Sequence, residues 1–302
     1  MIEIMDFKLS HKLLSLIGAI AAFVVVSANT ACANEAEIRT TESLAIGMTH
    51  DQVIEIFAFE QTVDISQEFK AVVIRPEEFG VESLLIFKND ILISKELSGH
   101  RWVTMQPLNV DGMPALIASE WSGGAHCCFT YFLIALEPMP KVTQTLDLSD
   151  GQGNLKTCGE LICLDFFDYT FAYWRGPFVD SIGAPIITSL RDGRFNFDFD
   201  LMRKPYVEVS DKTISKIKQA FFKAEQGEDI GIAYRMLSQE LLNLIYSGHA
   251  DRTSALLKRV WTQNTVSSTQ HSFEIEFITE LKKSQYWADL LKLNGGRILG
   301  AK

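Results

Sequence analysis

Three regimes of hydrophobic patterning divide the chain. Leu13 to Val26 runs almost without a polar side chain. This run of about 14 residues is too short to span a bilayer as a helix, which needs about 20. Residues 67–205 are built of short apolar runs, many of them alternating, separated by turn residues. From Ser210 onward the apolar positions recur every three or four residues, the period of a helix that buries one face.

The alternating regime predicts strands at 69–74, 83–88, 91–95, 101–105, 115–121, 127–136, 141–148, 161–174, 185–190 and 194–201. Asn89-Asp90 and Asp192-Gly193 fall between neighbouring strands, and Asp-Gly is a strong signal for a two-residue hairpin. Short strands at this spacing predict an antiparallel all-β domain, a sandwich or a set of propeller-like sheets. In the third regime Ser210 caps a helix with Ile214, Ile217, Ala220, Phe221 and Ala224 on one face. Further helices are predicted over 230–246, 252–261 and 272–293, the last broken near Ser284. Ahead of the strands, Thr49 and Gln52 have capping-box spacing before Val53, Ile56 and Phe57. The fold class expected is α+β, with a β domain followed by a C-terminal helical bundle. The divisions expected are a signal peptide over 1–33, an N-terminal helical segment over 34–66, the β domain over 67–205 and the helical domain over 206–302.

The first regime reads as an export signal. Lys8 and Lys12 precede the apolar run, and Ala31-Cys32-Ala33 follows it as an A-x-A cleavage site. Cleavage after Ala33 leaves about 269 residues in the periplasm or the extracellular medium. Lipidation at Cys32 is disfavoured, because Asn29 stands where a lipobox has an aliphatic residue. The formal charge of −10 is unchanged by cleavage and repels phosphate backbones, which argues against nucleic-acid partners. No transmembrane segment is expected once the signal is removed, since no later stretch is long and apolar enough.

Four cysteines follow the signal: Cys127, Cys128, Cys158 and Cys163. An even count in an oxidising compartment suggests disulfides. Adjacent side chains on a strand point to opposite faces, so Cys127 and Cys128 cannot both reach one partner strand from the same face. Two bonds within one cluster are expected, and a turn at Gly159-Glu160 makes a local Cys158–Cys163 bond the strongest single candidate. Either or both of Cys127 and Cys128 could instead be buried free thiols.

The stretch from Asp111 to Tyr131 is the most unusual in the chain. Ser122-Gly123-Gly124-Ala125 joins two predicted strands, and paired glycines permit a tight connection. Trp121, Gly123, Gly124 and His126 are the candidate ligand-binding residues. The segment Trp121-Ser-Gly-Gly-Ala-His-Cys-Cys128 resembles the signature of an uncharacterised family of bacterial exported proteins. That resemblance covers roughly residues 100–205 and implies no activity. Residues 109–117 are similar to the strand-entry loops of FG-GAP propeller repeats, with Met113 where such loops carry a further acid. Residues 46–53 resemble the helix start of small outer-membrane assembly lipoproteins.

Catalytic chemistry has few footholds. His126 and Cys127 diverge on an extended chain, while His126 and Cys128 share a face. Imidazole and thiolate would suit copper or zinc, but no His-x-x-x-His or Cys-x-x-Cys spacing accompanies them. Glu120, Asp165 and Asp168 could supply a glycosidase carboxylate pair. The aromatic run over 166–174 reads first as sheet core and second as a ligand platform. No catalytic residue, metal set or cofactor is assigned. The function expected is an exported, non-enzymatic binding or structural module of the cell envelope, with an envelope protein or ligand as partner. The alternative is an envelope hydrolase, or a thiol- or metal-dependent enzyme, with its site around Glu120–Cys128.

Overall fold

A computed structural model describes residues 44–75, 82–97, 100–124, 128–261 and 267–299. The signal-peptide reading, and the roles assigned to His126 and Cys127, fall outside the described residues. Residues Arg39–Lys302 form one compact unit, and all that follows concerns that unit.

Twelve strands make three four-stranded antiparallel sheets. The first holds β1 (Phe59–Asp64), β2 (Phe69–Ile74), β3 (Ser83–Lys88) and β4 (Ile91–Leu97). The second holds β5 (Arg101–Val110), β6 (Met113–Trp121), β7 (Phe129–Ala135) and β8 (Lys141–Asp147). The third holds β9 (Asn154–Cys158), β10 (Leu161–Asp168), β11 (Ala184–Arg191) and β12 (Arg194–Phe197). Every sheet is an up-and-down meander in which consecutive strands pair.

Side-chain alternation stacks these sheets into layers. On β2 and β3, Phe69, Ala71, Val73, Leu84 and Ile86 face the second sheet, where Leu116, Ala118 and Ile134 meet them. The opposite parity, Val72, Ile74, Leu85 and Phe87, packs with Val53 and Phe57 of α1 (His50–Ile56). A bulge between Trp102 and Thr104 shifts the register of β5. It lets Trp102 and Met105 enter one cluster despite their odd spacing, as an inserted residue does. The other face of the second sheet gives Leu108, Ala115, Ile117, Tyr131 and Leu133 to a core shared with the third sheet.

That same core takes in the helices: α2 (Phe199–Met202), α3 (Asp211–Glu225), α4 (Ile230–Tyr246), α5 (Thr253–Val260), α6 (Ser267–Leu281) and α7 (Trp287–Leu293). Ile217, Leu237, Leu241, Phe273, Phe277 and Leu290 are fully buried in it. Each such side chain contributes about 1.5–3 kcal/mol by leaving water. The fold is therefore the expected α+β, a β-rich part followed by helices. None of the described helices is long and apolar enough to cross a membrane.

Three boundaries differ from the sequence reading. The stretch 34–66, read as helical, contains β1. The strand expected over 161–174 stops at Asp168, whose Oδ1 accepts the Thr170 N–H at 2.9 Å. That local bond turns the chain away from the sheet. The strand expected over 194–201 stops at Phe197, because the Asp198 carboxylate accepts from the N–H groups of Asp200 and Leu201 and starts α2.

Candidate functional site

The signature segment closes one end of the second sheet. Trp121, the last residue of β6, stacks on Phe129, the first of β7, with centroids 6.4 Å apart. Ser122 ties the loop base: its N–H donates to the Cys128 carbonyl, and its Oγ accepts the Cys128 N–H at 2.7 Å. Gly123 has φ +82°, in the region that favours glycine, and Gly124 follows it without regular structure. Glu120 faces His100, Oε1 to Nδ1 at 3.3 Å. The bond expected between Cys158 and Cys163 is not formed: both are free thiols. Cys163 sits opposite Lys156 on β9, two residues from Cys158. Burial, and then the hydrogen bond with Cys158, push the Cys163 thiol up to about 12.

The signature loop leads directly to a cavity. Phe129, next to Cys128, donates its N–H to the Ser149 carbonyl at 3.0 Å. Ser149 lies on the rim of a cavity of about 320 Å³, together with Asp147, Asp150, Phe167, Lys283 and Tyr286. These residues come from three places: the turn after β8, the end of β10, and the link between α6 and α7. The turn residues approach closely, because Gly151 lies against β10. A Cβ on Gly151 would stand 2.7 Å from the Phe167 carbonyl oxygen.

Asp168 anchors the back of this cavity. Its Oδ2 accepts from Tyr246 Oη of α4 at 2.7 Å and from Ser284 Oγ, between α6 and α7, at 2.5 Å. Its Oδ1 accepts from the backbone and the hydroxyl of Thr170. One carboxylate thus joins the third sheet to two helical segments through neutral donors. Burial first, then the Asp168 charge, keep the Tyr246 phenol far above its ordinary value. The same two causes raise Tyr286, with Asp289 and Asp147 adding to them. Both phenols are therefore donors at neutral pH.

The aromatic run divides at this point. Phe166 and Phe171 are buried in the core, while Phe167 is 50% and Tyr173 58% exposed. Tyr169 and Phe178 connect the exposed pair into a strip, with centroids 6.0 Å (Phe167–Tyr169), 6.1 Å (Tyr169–Phe178) and 5.4 Å (Phe178–Tyr173) apart. The strip starts at the cavity, which Phe167 and Tyr169 line.

The three carboxylates considered as a glycosidase pair are not brought together. Glu120 faces His100, Asp165 pairs with Lys156 across β9 and β10, and only Asp168 lines the cavity. Asp147, Asp150, Lys283, Gln285 and Tyr286 carried no sequence signal as site residues. The expected helix break at Ser284 was the one hint that a functional turn lay there. A broader cleft of about 530 Å³ borders the β1–β2 turn, but its acids Glu68 and Glu137 are both held by Lys88. Among the described residues no cluster of His, Cys, Asp and Glu could hold a metal ion.

Fold and cavity together define an α+β protein of three stacked β-meanders backed by helices, with a polar, aromatic-walled recess where the third sheet meets the α6–α7 link. No protein-family model matches the chain, and neither a curated protein nor a solved structure matches it.

Proposed function

We propose that this chain is an exported, non-enzymatic binding module of the cell envelope, and that the cavity beside Asp168 is its ligand seat. The export part rests on the basic, apolar and A-x-A pattern of residues 1–33. The binding part is carried by one observation, the way Asp168 is used. Its carboxylate is committed to four hydrogen bonds that fix the cavity wall. A general acid or base needs its proton-accepting atom free for substrate, whereas a binding recess needs a rigid wall.

The test is nuclear magnetic resonance on the mature chain, with fluorinated phenylalanine and tyrosine as probes. Titration with fractionated envelope material should shift the signals of Phe167, Tyr169 and Tyr286 saturably, and the ligand should be recovered unchanged. Chemical turnover of the recovered ligand would overturn the non-enzymatic reading. Shifts confined to residues around Glu120 would move the site to the signature loop.

A further inference from the structure

The ligand class can be narrowed on the basis of that binding reading, from the chemistry of the wall. Both hydrogen-bond donors and acceptors line the cavity. Tyr286 contributes a phenol, and Asp147 and Asp150 contribute carboxylates, while the Gln285 amide donates to the Asp147 carbonyl at 2.9 Å and Lys283 is held by Glu280. A ligand with donors alone, such as an organic ammonium, would leave the Tyr286 hydroxyl without an acceptor. Hydroxyl groups both donate and accept, so a polyhydroxylated ligand satisfies the wall in either sense.

The second observation is the aromatic strip and is independent of the first. Phe167 and Tyr173 expose half or more of their surface, at a cost in apolar hydration that a partner would relieve. Phe167, Tyr169, Phe178 and Tyr173 follow one another at centroid spacings of 5.4–6.1 Å, each ring tilted 36–49° from the next, and offer more than one ring to a ligand. A pyranose presents an apolar C–H face to an aromatic ring and hydroxyls at its edge, which is the combination of surface and recess found here. The third observation is charge. Asp147, Asp150 and Asp168 outnumber Lys283 around the cavity, and Lys283 is already held by Glu280 at 2.6 Å. The resulting field opposes an anionic ligand.

We propose that the cavity and the strip from Phe167 to Tyr173 bind an uncharged oligosaccharide, with one sugar in the cavity and the following sugars stacked along the rings. The experiment is calorimetric titration of the mature chain with three probes: a tetramer of N-acetylglucosamine, a tetramer of glucose, and a tetramer of galacturonic acid. At least one neutral probe should bind saturably and the anionic one should not. Phe167→Ala should weaken the neutral probe about tenfold or more, because a stacked ring is lost, with an unchanged melting temperature. Phe222→Ala, which removes an exposed ring on α3, should leave binding unchanged. Equal binding of the anionic probe, or a Phe167→Ala variant that binds like the parent, would overturn the proposal. If none of the three binds while small amines still shift the Phe167 and Tyr286 signals, the saccharide assignment falls and the ligand seat stands. If nothing shifts those signals, both fall. Cleavage of a bound probe would keep the saccharide and overturn the non-enzymatic reading.

Discussion

Asp168 is half-buried, and each of its two oxygens accepts two hydrogen bonds. Removing a partner of such a group leaves a carboxylate oxygen short of a donor, which costs about 1–3 kcal/mol. Tyr246→Phe should therefore lower stability by that amount in urea denaturation. Ser284→Ala should not add fully to it, because both hydroxyls serve Oδ2. A Tyr246→Phe loss below about 0.5 kcal/mol would show that Asp168 is not the latch described. Gly151→Ala tests the opposite wall. The added methyl meets the Phe167 backbone at 2.7 Å, so strand or turn must shift, and both stability and probe binding should fall. Asp198 offers a pH-dependent case. Burial alone would raise its carboxyl, but hydrogen bonds from Ser189, the Leu201 N–H and Arg191 outweigh burial and hold it below the usual carboxylate range. A depressed folded value gives stabilisation that is complete above the unfolded value of about 4 and is lost as pH falls through the folded value. Asp198→Asn should accordingly cost stability at pH 7, and the gap to the parent should close below about pH 4. A gap that stayed constant down to pH 2 would contradict this account.

At the scale of elements, ten of the twelve strands among the described residues match a run read from the sequence, the edge strands β4, β5, β8 and β12 included. The interior strands β2, β3, β6 and β10 carry buried runs and were anticipated to within a few residues at most of their ends. The two that were not anticipated, β1 and β9, are both edge strands. An edge strand is wetted on one side and needs less apolar pattern; β9 carries an exposed Lys156, typical of edges. Helix α4 spans Ile230 to Tyr246, as its continuous apolar stripe predicts, and in the structure Asp229 caps it. The capping box of α1 formed as spaced, with Thr49 Oγ1 accepting the Gln52 N–H and Gln52 Oε1 accepting the Thr49 N–H. The cavity was not legible, because 147–150, 166–170 and 283–286 converge only when the third sheet docks on the helices. Of these residues the sequence singles out only Asp168 and the aromatic run, the run first as sheet core. The β9–β10 hairpin yields a further expectation. Cys163 is fully buried and its thiol is pushed up to about 12, so it holds almost no thiolate at neutral pH. Iodoacetamide at pH 7.5 should label Cys163 in the reduced native protein far more slowly than in urea, as read by peptide mass. Prompt native labelling would mean that β9 opens readily at the edge of its sheet.

For the whole molecule, the hydrophobic core decides how the parts unfold. The sequence changes character near residue 206, which suggests separate β and helical domains. The packing joins them: Leu164, Phe166, Ala184 and Ile186 of the third sheet share one cluster with the buried faces of α3 to α7. Phe171 meets Phe277 at 5.2 Å, and Tyr286 packs against both Phe166 and Phe197. The first sheet is attached differently, through a separate cluster that reaches only the second sheet. Elements that share a core tend to unfold together, while a layer held by its own cluster can open below the global transition. Heating should therefore melt the third sheet and the helices in one step. Fluorescence from Trp174, Trp261 and Trp287, isolated by replacing Trp102 and Trp121 with Phe, should coincide with loss of helical circular dichroism. Trp102 lies in the cluster between the first and second sheets, and a variant that retains it as the sole tryptophan should report the same or an earlier midpoint. A helical transition well separated from that of Trp174 would show that the helices are an independent domain, and the Asp168 latch would then have no cooperative role.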